Sequence, residues 1–293
     1  MNIALTGSSG FVGSHVLAEL VAHGHEVTAI VRNEEDAISV ATQGAKAAVV
    51  DLYDRAAVVS VLEQSDGSIH TASPGDATSA DLDSAMADAV IEAFSGSGRP
   101  HIQISGLWVY GDNTNITEAS PHNAPPLVAW KEPIEQRLLS ARGIRTIIPV
   151  SGTAYGDAGG GIPGLLLGSP LDDGGNLMMI GEGHQRWVTV HVADLANFFR
   201  RALEQDEAHG YYAIGNGLDS TVAELTDAAA AAVGAAGAVP GSDDEARSRL
   251  GEYLAAVLLL DQATKATRAR EELGWKPSRP GLIEELRTGS YRR

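Results

Sequence analysis

The sequence predicts an α/β protein with a doubly wound, largely parallel sheet, and three observations carry that expectation. Short apolar runs alternate with stretches of helical periodicity through the first half of the chain. Those runs lack polar alternation, as strands covered on both faces do. The first run ends in a glycine-rich turn, Thr6–Gly7–Ser8–Ser9–Gly10–Phe11–Val12–Gly13, which opens directly into a helix.

Taken in order, Asn2 to Thr6 reads as a strand, followed by a helix to about His23. Glu26 to Val31 and Ala47 to Val50 read as the second and third strands. Ser68 to Thr71 follows an Asp66–Gly67 turn, His101 to Ser105 follows Pro100, and Ile144 to Val150 follows an Arg142–Gly143 helix stop. Leu82, Ala85, Met86, Ala89, Val90 and Ala93 mark one face of an intervening helix. After Pro149 the texture changes. Residues 151–175 are dense in glycine and proline, and short strands follow near Leu177–Ile180 and Trp187–His191. A helix from Ala193 to Glu204 and a strand at Tyr211–Ile214 are expected to return to the main sheet. Thr221 and Glu224 have capping-box spacing, and the Ala-rich stretch from 228 to 239 reads as a packed helix behind them. A last helix is expected around Leu282–Leu286.

Composition narrows the function classes. The chain of 293 residues has 44% hydrophobic residues, ordinary for a globular protein, and no apolar run near the roughly 18 residues a membrane span needs. With no apparent targeting segment, a cytoplasmic address is expected. The absence of cysteine excludes disulfides, thiolate nucleophiles and cysteine-held metals. A net charge of −17 argues against nucleic acid as partner. The histidines show no metal-ligand spacing, so no metal is predicted.

The glycine turn points to a dinucleotide. Gly7 permits the tight turn, Gly10 lets backbone approach a pyrophosphate, and Gly13 lets helix and strand pack closely. Unpaired amides of the helix's first turn then face the anion. At the end of the second strand an acidic residue would favour NAD; this chain has Arg32 and then Asn33. A guanidinium matches a 2′-phosphate bidentately, so NADP (NADPH) rather than NAD is expected. Residues 1–150 form the expected dinucleotide-binding domain. Residues 151–293 form a substrate-binding region, with segments near 187–215 returning to the core.

These residues resemble the short-chain dehydrogenase/reductase superfamily in its extended or atypical branch, similar to epimerase/dehydratase and dihydroflavonol-reductase enzymes. Gly7-x-x-Gly10-x-x-Gly13 has that branch's spacing. Asp51–Leu52 looks like the adenine-contacting pair, and Ile69–His70–Thr71–Ala72–Ser73–Pro74 is similar to the stretch bordering ribose and nicotinamide. Val109–Tyr110–Gly111–Asp112, the 187–196 segment and Leu273–Gly274–Trp275–Lys276–Pro277 resemble later signatures. The resemblance implies a cofactor site of Gly7, Ser9, Gly10, Phe11, Val12, Gly13, Arg32, Asp51, Leu52, Thr71, Ala72, Ser73, Ser105, Lys131 and Val150. By analogy it also implies a homodimer through helices near 79–95 and 128–142.

The catalytic positions depart from the family. Trp130–Lys131–Glu132–Pro133 matches the segment of the family lysine, but Leu127 stands four residues earlier, where the proton-transferring tyrosine belongs. Gly106 occupies the family serine position, with Ser105 one residue before it. Lys131, Ser105 and Tyr155 are therefore the candidate catalytic residues, with Tyr110 and His191 as further proton donors to weigh. Trp108, Trp130, Tyr155 and Trp187 are candidate pocket walls. The expected function is an NADP-dependent oxidoreductase acting on a small, mostly apolar carbonyl, imine or enone, with a non-standard proton donor. A nucleotide-sugar epimerase or dehydratase and a non-catalytic NADP(H)-binding regulator are the alternatives.

Overall fold

The computed structural model describes residues 1–292. Its centre is an eight-stranded sheet in which every pairing is parallel. The strands are β1 (Asn2–Thr6), β2 (Glu26–Val31), β3 (Lys46–Val49), β4 (Gly67–His70), β5 (Pro100–Gln103), β6 (Ser105–Gly106), β7 (Arg145–Ser151) and β8 (Gly210–Ile214). They lie in the order β8-β7-β5-β4-β1-β2-β3, and β6 continues past β5 to pair with β7. The winding direction reverses between β1 and β4, and a doubly wound sheet offers its binding crevice at that reversal.

The helices along the first half are α1 (Phe11–Ala22), α2 (Glu34–Thr42), α3 (Arg55–Glu63), α4 (Ser79–Phe94) and α5 (Lys131–Ser140). Strand alternation divides β1 between two cores. Ile3 and Leu5 pack with Val16, Leu17 and Leu20 of α1, whereas Ala4 faces Val58, Leu62, Met86, Val90 and Leu138 on the opposite side. Each large aliphatic side chain buried this way contributes about 1.5–3 kcal/mol. Local signals start the helices: Asn33 accepts from the Asp36 amide at 2.8 Å and Asp54 from the Ala57 amide at 3.1 Å.

Beyond β7 come α6 (Gly161–Leu167), α7 (Val192–Glu204), α8 (Val222–Val233), α9 (Asp243–Leu250), α10 (Glu252–Leu258), α11 (Thr267–Glu272) and α12 (Leu282–Thr288). Helix α7 brings Leu195, Phe198 and Phe199 into the core shared with α1, and β8 pairs with β7. Helices α6, α8, α9, α10 and α12 enclose a second core around Leu166, Val222, Leu225, Ala228 and Leu286. The Thr221–Glu224 capping box is formed, with the Glu224 amide donating to Thr221 Oγ1 at 3.2 Å and the Thr221 amide to Glu224 Oε2 at 2.9 Å. The helix it opens is shorter than the alanine run suggests. It stops at Val233, Gly234 turns left-handed, and Ala238–Val239 pair instead with Leu177–Met178.

The late sequence signatures tie the two cores together. Trp275 is fully buried and its indole donates to the Asp194 carbonyl at 2.8 Å. The Asp194 carboxylate accepts from the amides of Ser278 and Arg279. Among the described residues, no helix is long and apolar enough to cross a membrane, and no group of His, Cys, Asp or Glu could hold a metal ion.

Candidate functional site

Two cavities open at the carboxyl end of the sheet and share Phe11 and Val12 in their walls. The first, about 680 Å³, is bordered by the glycine turn, by Arg32 after β2, by Asp51–Leu52 after β3 and by Thr71–Ser73 after β4. A dinucleotide fits this cleft on the chain's own geometry. Gly7 has φ +75°, and a Cβ there would lie 2.6 Å from the Ala72 amide nitrogen. A Cβ on Gly13 would collide with the Gly7 carbonyl. Helix α1 begins at Gly10 with no side-chain cap, leaving its first amides free for an anion. Arg32 projects into solvent with its side chain 88% exposed; its ion-pair partner is Asp36, at 3.8 Å.

The second cavity, about 660 Å³, is enclosed by Phe11, Val12, Leu107, Trp108, Ile162, Leu165, Trp187, Val188, Leu195, Leu254 and Leu258. Its wall contains no charged side chain. Of its polar members, Gln262 is committed to the carbonyls of Leu107 and Gly111, and Ser151 to the carbonyl of Gly152. The Ser105 hydroxyl is buried and has no partner. The glycine-rich segment ahead of α6 is tied down. Gly159 and Gly160 pack on the Phe11 ring, and His15 pairs with Asp157 at 2.8 Å. Tyr291 bonds the Gly159 carbonyl, and Gly161 begins α6.

Lys131 stands at the start of α5, and its Nζ lies 3.3 Å from Asp83 Oδ2 on α4. It borders neither cavity, and its ion pair is with Asp83, not with Glu135 one turn along its own helix. Asp83 is buried; its other partners are His70 at 3.2 Å and Gln103 at 3.1 Å, and His70 pairs in turn with Thr6 Oγ1 at 2.6 Å. Burial alone would raise the Asp83 carboxyl, but His70 and the Lys131 ammonium outweigh it and hold the carboxyl below the usual range. His101, on the adjacent strand, is pushed down to about 3 by burial and by the neighbouring His70.

Two further expected site residues also lie away from the cavities. Tyr155 is fully buried, donates to the Pro280 carbonyl at 2.7 Å and packs edge-on against His191. Burial pushes its hydroxyl up to about 12, and it borders neither cavity, so it is a structural tyrosine. Val150 is fully buried on β7 opposite Ser105 and likewise borders neither cavity. Of the expected aromatic walls, Trp108 and Trp187 are present, while Trp130 lies beside Lys131 and donates to the Leu127 carbonyl. His191 accepts from the Ala193 amide and caps α7.

Sequence reasoning missed Asp83 and Glu135. Each interrupts an apolar helical face, Asp83 beside Leu82 and Met86, Glu135 beside Ile134 and Leu138, and both are buried. An acidic residue on an apolar stripe was the available signal.

The model of the NAD dependent epimerase/dehydratase family matches residues 3–215. The chain belongs to this family, in the extended branch of the short-chain dehydrogenase/reductases, with a Rossmann fold and NAD(P) as the family's cofactor. An uncharacterized protein of Schizosaccharomyces pombe is 29% identical over 99% of this chain and 100% of its own. A second, from Saccharomyces cerevisiae, is 27% identical over 98% of both chains. Among solved structures, human epimerase family protein SDR39U1 with NADPH superposes with a TM-score of 0.74 at 22% identity, covering 99% of both chains. The dTDP-glucose 4,6-dehydratase of Bacillus anthracis with NAD gives 0.78 at 16%, covering 99% of this chain and 96% of that one.

Proposed function

We propose that this chain is an NADP-dependent oxidoreductase acting on a small, mostly apolar carbonyl, imine or enone. The observation that carries the reading is the uncharged cavity joined to the dinucleotide cleft at Phe11–Val12. Bound at the cleft, the cofactor supplies or accepts hydride. The glycine turn would hold its pyrophosphate, Arg32 its 2′-phosphate, and Asp51–Leu52 its adenine. Thr71, Ala72 and Ser73 would border the ribose. Ser105 is the hydroxyl that can orient a substrate oxygen, because the residue lines the cavity and its hydroxyl has no internal partner.

The same wall weighs against a nucleotide sugar as substrate. A diphosphate needs cationic or dense amide donors, and Arg186, the basic residue of that region, is engaged by Asp261 at 2.7 Å. The test is cofactor titration followed by NADPH oxidation against panels of ketones, imines and enones. Tighter NADPH than NADH binding with turnover in one panel supports the reading. Conversion of a UDP- or dTDP-sugar instead would replace it with the epimerase/dehydratase reading, and binding without any turnover would leave a regulatory binder.

A further inference from the structure

The family tyrosine's place is taken by Leu127, so a substrate oxygen in the cavity needs another proton source. Near Ser105 is Glu135, buried on α5, with neither carboxyl oxygen hydrogen-bonded. The Ser105 and Tyr211 hydroxyls approach that carboxyl closely enough to favour its charged form, yet neither completes a hydrogen bond to it. The surroundings are unusual for an acidic residue. From α5 itself Lys131 faces Glu135, but that ammonium is bound to Asp83. From the connection before α5 comes His122, whose ring packs edge-on against Tyr110 and Tyr211. Tyr110 contributes a buried hydroxyl without a partner, and Glu118 and Glu132 add negative charge felt by these tyrosines. Burial dominates, pushing the Glu135 carboxyl up, and an unpaired buried carboxylate is relieved by holding a proton.

We propose that Glu135 is a proton reserve that acts through Ser105, replacing the family tyrosine. The proposal rests on the oxidoreductase reading above. In carbonyl reduction, hydride from the reduced nicotinamide dinucleotide adds to the carbonyl carbon and the π pair moves onto oxygen. Ser105 gives its hydroxyl proton to that oxygen and takes the Glu135 proton in return. The products are an alcohol, oxidised dinucleotide and the Glu135 carboxylate. Solvent then restores the Glu135 proton. Ser105 is the catalytic residue of this pair and Glu135 a positioning residue that sets its proton supply.

The experiment combines infrared titration of the free protein with single-turnover reduction of whichever carbonyl the panel identifies, for wild type, Glu135→Gln and Ser105→Ala. NADPH binding reports that each variant is folded. A protonated-carboxyl band that persists above the pH at which ordinary carboxyls ionise, lost in Glu135→Gln, is expected. Both variants should slow reduction by about 100–10,000-fold, the range for a lost general acid. Wild-type reduction should fall as pH rises through the pH at which that band disappears, and Glu135→Gln should lose this limb. Absence of the band overturns the proposal, as does reduction that is unchanged in folded variants. Wild type that reduces nothing while binding NADPH overturns the oxidoreductase reading and this step with it, whereas active but unaffected variants overturn the relay alone.

Discussion

Removing the Asp83 carboxylate should cost more stability than any single apolar truncation nearby. Its oxygens meet His70 at 3.2 Å, Gln103 at 3.1 Å and Lys131 at 3.3 Å, with the Asp83 side chain 6% exposed and that of Lys131 18%. Asp83→Ala leaves an ammonium and a histidine without their shared partner, and breaking a buried ionic group in this way costs about 3–5 kcal/mol. With a urea slope of about 3 kcal/mol/M, the midpoint should drop by roughly 1–1.7 M. Because the folded Asp83 pKa lies below its unfolded value near 3.9, its contribution is complete above that value. It is lost as pH falls through the lower folded pKa. Asp83→Asn, which cannot titrate, should therefore flatten the acid limb of the stability profile. Urea melts at neutral pH and at a series of acid pH values read both effects. A wild-type midpoint in Asp83→Ala, or an acid limb unchanged in Asp83→Asn, would refute the network as an energetic unit.

Three further outcomes are expected. Arg32→Ala should weaken NADPH binding by about 10–150-fold, the worth of a charge-assisted contact, and leave NADH affinity unchanged; calorimetric titration of both cofactors checks it. Gly13→Ala should abolish binding of either cofactor, because the added Cβ would collide with the Gly7 backbone carbonyl as well as the Thr71 hydroxyl, and equilibrium dialysis would reveal any retained affinity. Tyr155→Phe should lower unfolding stability by about 1–3 kcal/mol through the orphaned Pro280 carbonyl, with the turnover rate unaltered, so a selective loss of turnover would return Tyr155 to the site.

The fold was legible because its signals are local and repeated. The unbroken apolar run of β1, the glycine turn and the Thr221–Glu224 box each act over a few residues, and each appears as read. The overextended helix at 228–239 shows the limit. Alanine propensity favours continuing it, but Gly234 and the pairing of Ala238–Val239 with Leu177–Met178 end it, and that pairing spans more than sixty residues. The site was legible in part for the same reason. Glycine and arginine positions follow from spacing along one βαβ unit, whereas nothing local in the sequence reveals that the Tyr155 hydroxyl donates to the Pro280 carbonyl, away from both cavities.

On the proposed reading, Lys131 corresponds to the family lysine in changed surroundings. In this chain its ammonium faces a buried carboxylate, and a pair of opposite charges has a weaker long-range field than either member alone. The adjoining cavity is uncharged, so a hydrogen bond offered there meets little competing water and a low effective dielectric. On the proposed oxidoreductase reading, both conditions would shift the burden of polarising a substrate oxygen from the lysine to the Ser105 hydroxyl. That hydroxyl sits where β6 leaves the sheet, opposite buried Val150, and the parallel pairing fixes its backbone. A site of this kind selects substrates by apolar shape and by one correctly placed oxygen or nitrogen. It therefore discriminates poorly among homologues differing by a methylene, about 1–3 kcal/mol each, and strongly against compounds that carry a charge into the cavity.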